Sequence, residues 1–452
     1  MNKDFTIEKL GSAKIHSPIH LGTEPGDLLA DFTRDDARVV TELYPDVLKG
    51  YFERGEDPPT MELAGPREKI YFDASKLKVG IVTCGGICPG LNDVIRGLVM
   101  TLHYGYGVAG IIGFRYGFAG LNPEDGHSII ELTPKVVRDI HTRGGTVLGT
   151  SRGPQDPEVM VDTLERMNIG LFIAIGGDGT FRGALSIYEE IKKRNLKIGV
   201  IGVPKTIDND IPLVDHTFGF ETAVGLAAEA IQAAYAEASS VRRGVGLVKL
   251  MGRHAGFISA NAALAVRNVN MVLIPEVPFD LEGEAGLYNY IEKRFKKEKS
   301  TVIVVAEGAG QRHLKQSNGS DASGNTTLGD FGVFLKQKIN ERFGGSYRFS
   351  LKYIDPSYII RSQSACSNDS IFCGYLAQSA VHAGMSGRTG MAVGRSHRKF
   401  THIPLSVLVS ESKRVDPEGE LWLSVLESTG QPFFMTAKPD KELSRMSFTP
   451  HW

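Results

Sequence analysis

From Lys78 onward the chain repeats one pattern: an apolar, strand-like run, a glycine-rich turn, then a stretch with apolar residues on one helical face. "KVGIVT" leads through "CGGICPG" into "LNDVIRGLVMTLHY"; "VAGIIGF", "LFIAIGG" and "IGVIGVP" are further runs, and "FRGALSIYEEIKKRNL" separates the last two. Strands alternating with helices at this spacing call for parallel βαβ units with right-handed crossovers. A long alanine-rich helix, Phe220 to Ser240, is expected as a buried connector. A second α/β region begins near Gly244, with "VGLVKLMG", "NMVLIPE" and "STVIVVAEG" as strands. The 52 glycines suit many tight strand-to-helix turns. The expected fold class is α/β, with mostly parallel sheets.

The expected divisions are an N-terminal extension (1–75) packed on the body, one α/β domain (76–240), a second (241–400), and a C-terminal segment (401–452) packing back. Gln311 to Asp330 is polar and glycine-rich and reads as a mobile surface loop. From Tyr353 the pattern is mixed.

Charge narrows the partners. Lys plus Arg (51) nearly equals Asp plus Glu (52), and no basic run is interleaved with aromatics, so nucleic acid is not an expected partner. Cys84, Cys88, Cys366 and Cys373 are spaced for neither a zinc knuckle nor a disulfide framework and read as thiols in a reducing compartment. The N-terminus has no apolar signal core, and no run of about 18 apolar residues is present to span a membrane. "FTPHW" is not a lipidation tail. A soluble, cytoplasmic protein is expected.

Three strand ends carry chemistry. In "GGICPGLND", Gly85 and Gly86 precede a helix starting near Leu91 or Asn92. Backbone N–H groups and a helix N-terminus suit an anion, although a tight structural turn explains the glycines equally. The motif is neither a P-loop nor a dinucleotide fingerprint. In "GGDGT", Gly176 and Gly177 admit a ligand to the backbone, and Gly179 and Thr180 open a helix. Asp178 stands where α/β sheets bind ligands and can hold Mg²⁺ or cap the helix. In "PKTIDND", Asp208 or Asp210 can accept a hydroxyl proton, and Thr206 can bond a phosphate; a capped polar turn is the plain alternative. Arg152, Arg253 and Arg361 follow strand-like runs, where arginine suits phosphate. His254 has no partner at metal-ligand spacing and reads as structural.

In order, "GGICPGLN", "GTSRGP", "GGDGT", "PKTIDND", "MGRHAGF", "AEG" and "YIIR" resemble the phosphofructokinase family over Lys78 to Met391, in its longer-chain branch. The resemblance implies two Rossmann-like three-layer domains, the first nucleotide-binding and the second sugar-phosphate-binding, with the site in the cleft between them. It also implies phosphoryl transfer to O1 of fructose 6-phosphate, Mg²⁺, and a homodimer or homotetramer. By resemblance Asp208 is the general base, with Thr206 and Asp210 around the transferred phosphate. Asp178 is the Mg²⁺-associated acid. Gly85, Arg152, Gly177, Gly179 and Thr180 hold the donor. Met251, Gly252, Arg253, Glu307, Tyr358 and Arg361 hold the sugar phosphate.

Two positions depart from the family. Pro157 stands where a second donor-side arginine is frequent. Gly244 stands where an arginine is lent across a subunit interface, with Arg242 and Arg243 just upstream. The family uses ATP or pyrophosphate. Pyrophosphate users carry Asp at the position of Gly179, where it would collide with an α-phosphate, and Lys at the position of Lys205. Gly179 opens the nucleotide path, so ATP is the expected donor. Nicotinamide-nucleotide and lipid kinases share "GGDGT" without the other motifs, and a non-catalytic subunit of this fold is the alternative of another class.

Overall fold

The computed structural model describes residues 4–24, 26–314, 319 and 327–436. The chain forms two units drawn from discontinuous segments. The first holds the chain through Thr206, with Ile211–Gly219 and Ser362–Ser412. The second holds Ile207–Asp210, Phe220–Arg361 and the chain from Lys413. These differ from the expected linear divisions at 240/241 and 400/401. The Phe220–Ser239 helix belongs with the second unit, and Ser362–Ser412 returns to the first.

The first unit is built on a seven-stranded sheet. Its order is Lys399–Pro404, Met391–Ser396, Gly199–Pro204, Leu171–Gly176, Lys78–Thr83, Gly110–Phe114 and Ile129–Glu131. The five inner strands are parallel and the two edge strands antiparallel. The inner runs are continuously apolar because both sheet faces are covered. Phe172, Ala174 and Val200 pack with Phe181 and Ala184 of the Asp178–Lys193 helix and Met160 and Leu164 of the Pro157–Arg166 helix. Residues alternate faces along a strand. Leu171 accordingly lies on the other face, against Gly384 of the Ser367–Met385 helix. The result is three layers.

The chain leaves Lys78–Thr83 toward Gly110–Phe114 on one side and returns to Leu171–Gly176 on the other. That reversal is a topological switch point, and such sheets bind ligands beyond the strand ends there. "CGGICPG" and "GGDGT" leave the two strands that flank it.

The second unit has a four-stranded, all-parallel sheet ordered Met271–Leu273, Thr301–Ala306, Gly244–Leu250, Ser350–Ile354. Val245, Leu247, Ile303 and Val305 form a core with Leu287, Ile291 and Phe295 of one helix and Leu335, Ile339 and Phe343 of another. The Phe220–Ser239 helix buries one face only (Ala223, Ala227, Ile231, Ala234, Ala238), which corrects the expected buried connector. A Cβ on Gly244 would lie 2.0 Å from the Ala238 carbonyl oxygen, so the position admits only glycine.

Within the first unit the N-terminal residues add short strand pairs: Glu8–Lys9 with Arg388–Thr389, Ile15–His16 with Lys69–Ile70, and Arg38–Val40 with Thr60–Glu62. A charged cluster ties them to the late chain. Arg388, 1% exposed, donates from Nε to Glu62 (2.7 Å) and from Nη2 to Asp35 (3.0 Å). His402 Nδ1 lies 3.1 Å from the same Glu62 oxygen. Burial would raise the Glu62 pKa, but His402 and Arg388 outweigh it and hold the carboxyl at about 2.

All four cysteines are free thiols, with Cys84, Cys88 and Cys373 buried and Cys366 exposed. Among the described residues no helix is long and apolar enough to cross a membrane. Much of the expected loop at Gln311 to Asp330 (315–318 and 320–326) lies outside the described residues, as do 437–452 with "FTPHW".

Candidate active site

Three adjacent parallel strands of the first unit, in register from Gly176 to Pro204, end side by side. Their ends deliver Gly85, then Gly177 to Thr180, then Lys205 and Thr206. The turns are stitched together. Cys84 N–H donates to the Ile175 carbonyl (3.0 Å) and Lys205 N–H to the Gly176 carbonyl (3.0 Å). Gly85, at φ +81°, donates to the Ser151 carbonyl (3.1 Å), which brings the exposed Arg152 to this corner. Thr150 Oγ1 donates back to the Gly85 carbonyl (2.6 Å). Asn92 fixes the same loop from the helix, donating to the Arg143 carbonyl (3.0 Å) and accepting from Val147 N–H (2.9 Å). Thr150 and Asn92 lie inside the quoted motifs, but only the tertiary contacts reveal their work.

The glycines of "GGDGT" divide by function. A Cβ on Gly176 would sit 2.0 Å from Thr180 Oγ1, so that glycine serves packing. A Cβ on Gly179 would meet nothing within 4 Å, and its φ is not in the left-handed region. With no neighbour in the Cβ direction and no left-handed φ, the fold itself does not call for a glycine here. The N-terminus of the Asp178–Lys193 helix is left open beside the switch point.

Asp178 begins that helix, half-buried, and pairs with Arg182 one turn on (Oδ2 to Nη2 3.0 Å). That i, i+4 spacing was readable in the sequence. Among the described residues no group of three or more His, Cys, Asp or Glu could hold a metal. Asp178 therefore offers one carboxylate, which suits a Mg²⁺ carried mainly by phosphates and water.

Lys205 is buried, and its Nζ donates to the Gly86 carbonyl (2.8 Å), within 3.5 Å of where a Gly85 Cβ would stand. The lysine thus has a place in the fold independent of the donor's identity. The chain passes from the first unit to the second between Thr206 and Ile207.

In the second unit the residues expected to hold the sugar phosphate follow three neighbouring strand ends. Leu250 and Ala306 are register partners; Met251, Gly252 and Arg253 follow the first and Glu307 the second. Glu307 N–H donates to the Leu250 carbonyl (2.8 Å). Burial raises the Glu307 pKa, opposed by the charges of Lys249, Arg253 and Arg361. The third strand ends at Ile354, and Asp355 beyond it binds Lys249 Nζ (2.7 Å). Tyr358 and Arg361 follow, with the guanidinium 4.9 Å from the centre of the exposed Tyr358 ring. Arg361 Nε is buried with no hydrogen-bond partner among the described residues.

Asp208 and Asp210 flank Asn209, which is buried and left-handed at φ +55°. His254 is held below its ordinary pKa by desolvation and by Arg253 and Arg414, against an opposing pull from Asp210. Asp210 and the "MGRHAG" loop are therefore electrostatic neighbours.

The two departures have local causes. Pro157 is the first residue of its helix, capped by Asp156, which accepts from Glu158 N–H (2.9 Å). At Gly244 no side chain fits, and Arg242 and Arg243 both pair with Glu298 of their own unit.

A family profile described as "Phosphofructokinase" matches residues 78–384, more than half of the chain. A Borreliella burgdorferi protein named ATP-dependent 6-phosphofructokinase is 47% identical over 442 residues, covering 96% of this chain and 98% of that one. An Amycolatopsis methanolica protein of the same name is 46% identical, covering 95% of each. A solved structure titled pyrophosphate-dependent phosphofructokinase, from Nitrosospira multiformis, aligns with TM-score 0.65 at 19% identity, over 81% of this chain and 95% of that one, a likeness of fold. Strand-end motifs, fold and relatives agree: this chain belongs to the phosphofructokinase family.

Proposed function

We propose that the chain is an ATP-dependent 6-phosphofructokinase, transferring the γ-phosphoryl group of ATP to O1 of fructose 6-phosphate. Gly179 carries the choice of donor. Its Cβ direction opens on space at the helix N-terminus, which leaves room for a nucleotide beyond its terminal phosphates. The names of relatives at 46–47% identity support the same donor. Lys205 does not oppose ATP, because an ammonium that donates to the Gly86 carbonyl can still contact a transferred phosphate without blocking a nucleotide.

In this reading Asp208 accepts the O1 proton as the O1–phosphorus bond forms and the bond to the β-phosphate oxygen breaks, releasing ADP. Thr206 and Arg152 bind the moving phosphoryl group, and Arg152 balances its charge. Gly85, Gly177 and Thr180 offer backbone to the donor phosphates, and Asp178 holds Mg²⁺. When bound, Mg²⁺ supplies neutralisation of phosphate charge. Asp210, Met251, Gly252 and Arg253 bind the sugar phosphate, Glu307 accepts from sugar hydroxyls, and Tyr358 and Arg361 grip the 6-phosphate. A cytoplasmic homodimer or homotetramer is proposed as the assembly, checked by sedimentation.

The test is purified protein with Mg²⁺, fructose 6-phosphate, and either ATP or pyrophosphate. Fructose 1,6-bisphosphate should form with ATP and hardly at all with pyrophosphate. Equal or faster turnover with pyrophosphate overturns the donor assignment, and no turnover with either overturns the enzyme.

A further inference from the structure

We propose that Lys413 is a positioning residue for the turn that carries Asp208. The inference rests on the reading of Asp208 as the base, and extends it to a residue outside every quoted motif and beyond the family match at 78–384.

The Asp208–Asp210 turn is held in an unusual shape. Asn209 sits at φ +55°, a region that non-glycine residues enter at a cost of about 1–2 kcal/mol and that asparagine tolerates better than most. Such a turn keeps its shape only if its surroundings impose it. Within the second unit, the segment beginning at Lys413 does so through two bonds. Lys413 N–H donates to the Asp210 carbonyl (2.8 Å), and Lys413 Nζ donates to Asn209 Oδ1 (3.2 Å). One residue thus grips the turn at its left-handed centre by side chain and at the following residue by backbone.

Lys413 is itself held. Its ammonium lies 5.2 Å from the centre of the Phe257 ring, a cation–π distance, at the first residue of the helix that follows "MGRHAG". Two residues on, Val415 N–H donates to Glu276 Oε1 (2.9 Å), and the same oxygen accepts from Gly256 N–H (2.9 Å). The 413–415 segment therefore joins the base-bearing turn to the sugar-phosphate loop. A general base acts only when aligned with the proton it takes, and misplacement by about 1 Å can lower the rate by roughly 100-fold.

The experiment compares Lys413→Met, Lys413→Arg and Asn209→Gly by steady-state kinetics with MgATP and fructose 6-phosphate. Methionine keeps the backbone bond and the apolar stem but removes the charge. Arginine keeps the charge. Glycine accepts the left-handed turn and removes Oδ1. Lys413→Met should lower kcat by roughly 10- to 100-fold with both KM values within about threefold. Lys413→Arg should recover most of that loss. The Lys413→Met/Asn209→Gly double variant should be no slower than Lys413→Met, since both remove one link.

An unchanged kcat, a loss confined to KM, or additive losses in the double variant overturns the proposal. If Lys413→Met lacks a cooperative melt, Asn209→Gly decides on the same kcat and KM criteria. An inactive wild-type protein overturns the catalytic reading itself, a distinct failure.

Discussion

Gly179→Asp should separate stability from activity. In the structure the new side chain enters open space at the second residue of a helix, at an allowed backbone conformation. Replacing a helical glycine and adding an acid near the helix N-terminus are each favourable by a few tenths to about 1 kcal/mol. Repulsion from the partly exposed Asp178 offsets part of this. The net change is about 0–1 kcal/mol, so the melting temperature should stay or rise by up to about 4 °C. The cost appears with nucleotide bound. Two unit charges about 4 Å apart at an effective dielectric constant near 20 repel by about 4 kcal/mol. That is roughly a 1000-fold loss in kcat/KM for ATP. The assay is coupled detection of fructose 1,6-bisphosphate formation beside a thermal melt. A kcat/KM within about threefold of wild type would refute the reading of Gly179 as nucleotide space, and a melt lowered by more than about 5 °C would show that the fold needs this glycine. Gly176→Ala is the contrast, since its Cβ collides with Thr180 and the melt itself should fall.

Asp208→Ser should lower kcat by roughly 100-fold or more with far smaller effects on KM, because a base acts in the transition state; a pure KM effect would remove Asp208 from that role. Glu62→Ala leaves Arg388 buried beside the lone carboxylate of Asp35 and should destabilise the first unit by about 3–5 kcal/mol, read as a lowered denaturant midpoint. Stability should also fall on acidification. Burial holds His382 at about 4, below the usual 6.5, so the unfolded chain binds the extra proton between those values. Its contribution, up to about 3 kcal/mol, is complete above pH 6.5 and is lost as pH falls toward 4. In melts between pH 7 and pH 4.5 the stability of His382→Phe relative to wild type should rise by about 2–3 kcal/mol on acidification; parallel curves would refute this.

The inner strands of both sheets were legible because their signal is local. A continuous apolar run such as "LFIAIGG", ended by glycines, reads as a buried parallel strand wherever it pairs. The late chain was not legible in the same way. Met391–Ser396 and Lys399–Pro404 turn at His397 and Arg398, both left-handed, without the Asn-Gly signal of a tight hairpin. Met391–Ser396 then finds its partner in Gly199–Pro204, far back in the sequence. The N-terminal residues were opaque for a related reason. Their strands are two or three residues long, and their anchor is Arg388 on Glu62.

The sequence by itself determined the α/β class, the strand ends that carry the candidate site, and the family, because strand-end motifs are short-range patterns fixed by backbone geometry at turns. The tertiary structure alone decided which glycine is packing and which is open space, since Gly176 and Gly179 look alike until the neighbours of each Cβ are known. It also decided that Lys205 bonds the Gly86 carbonyl, that Gly244 excludes an arginine, and that Lys413 reaches the Asp208 turn. Each of these depends on contacts between residues distant in the chain, and no local pattern encodes such contacts.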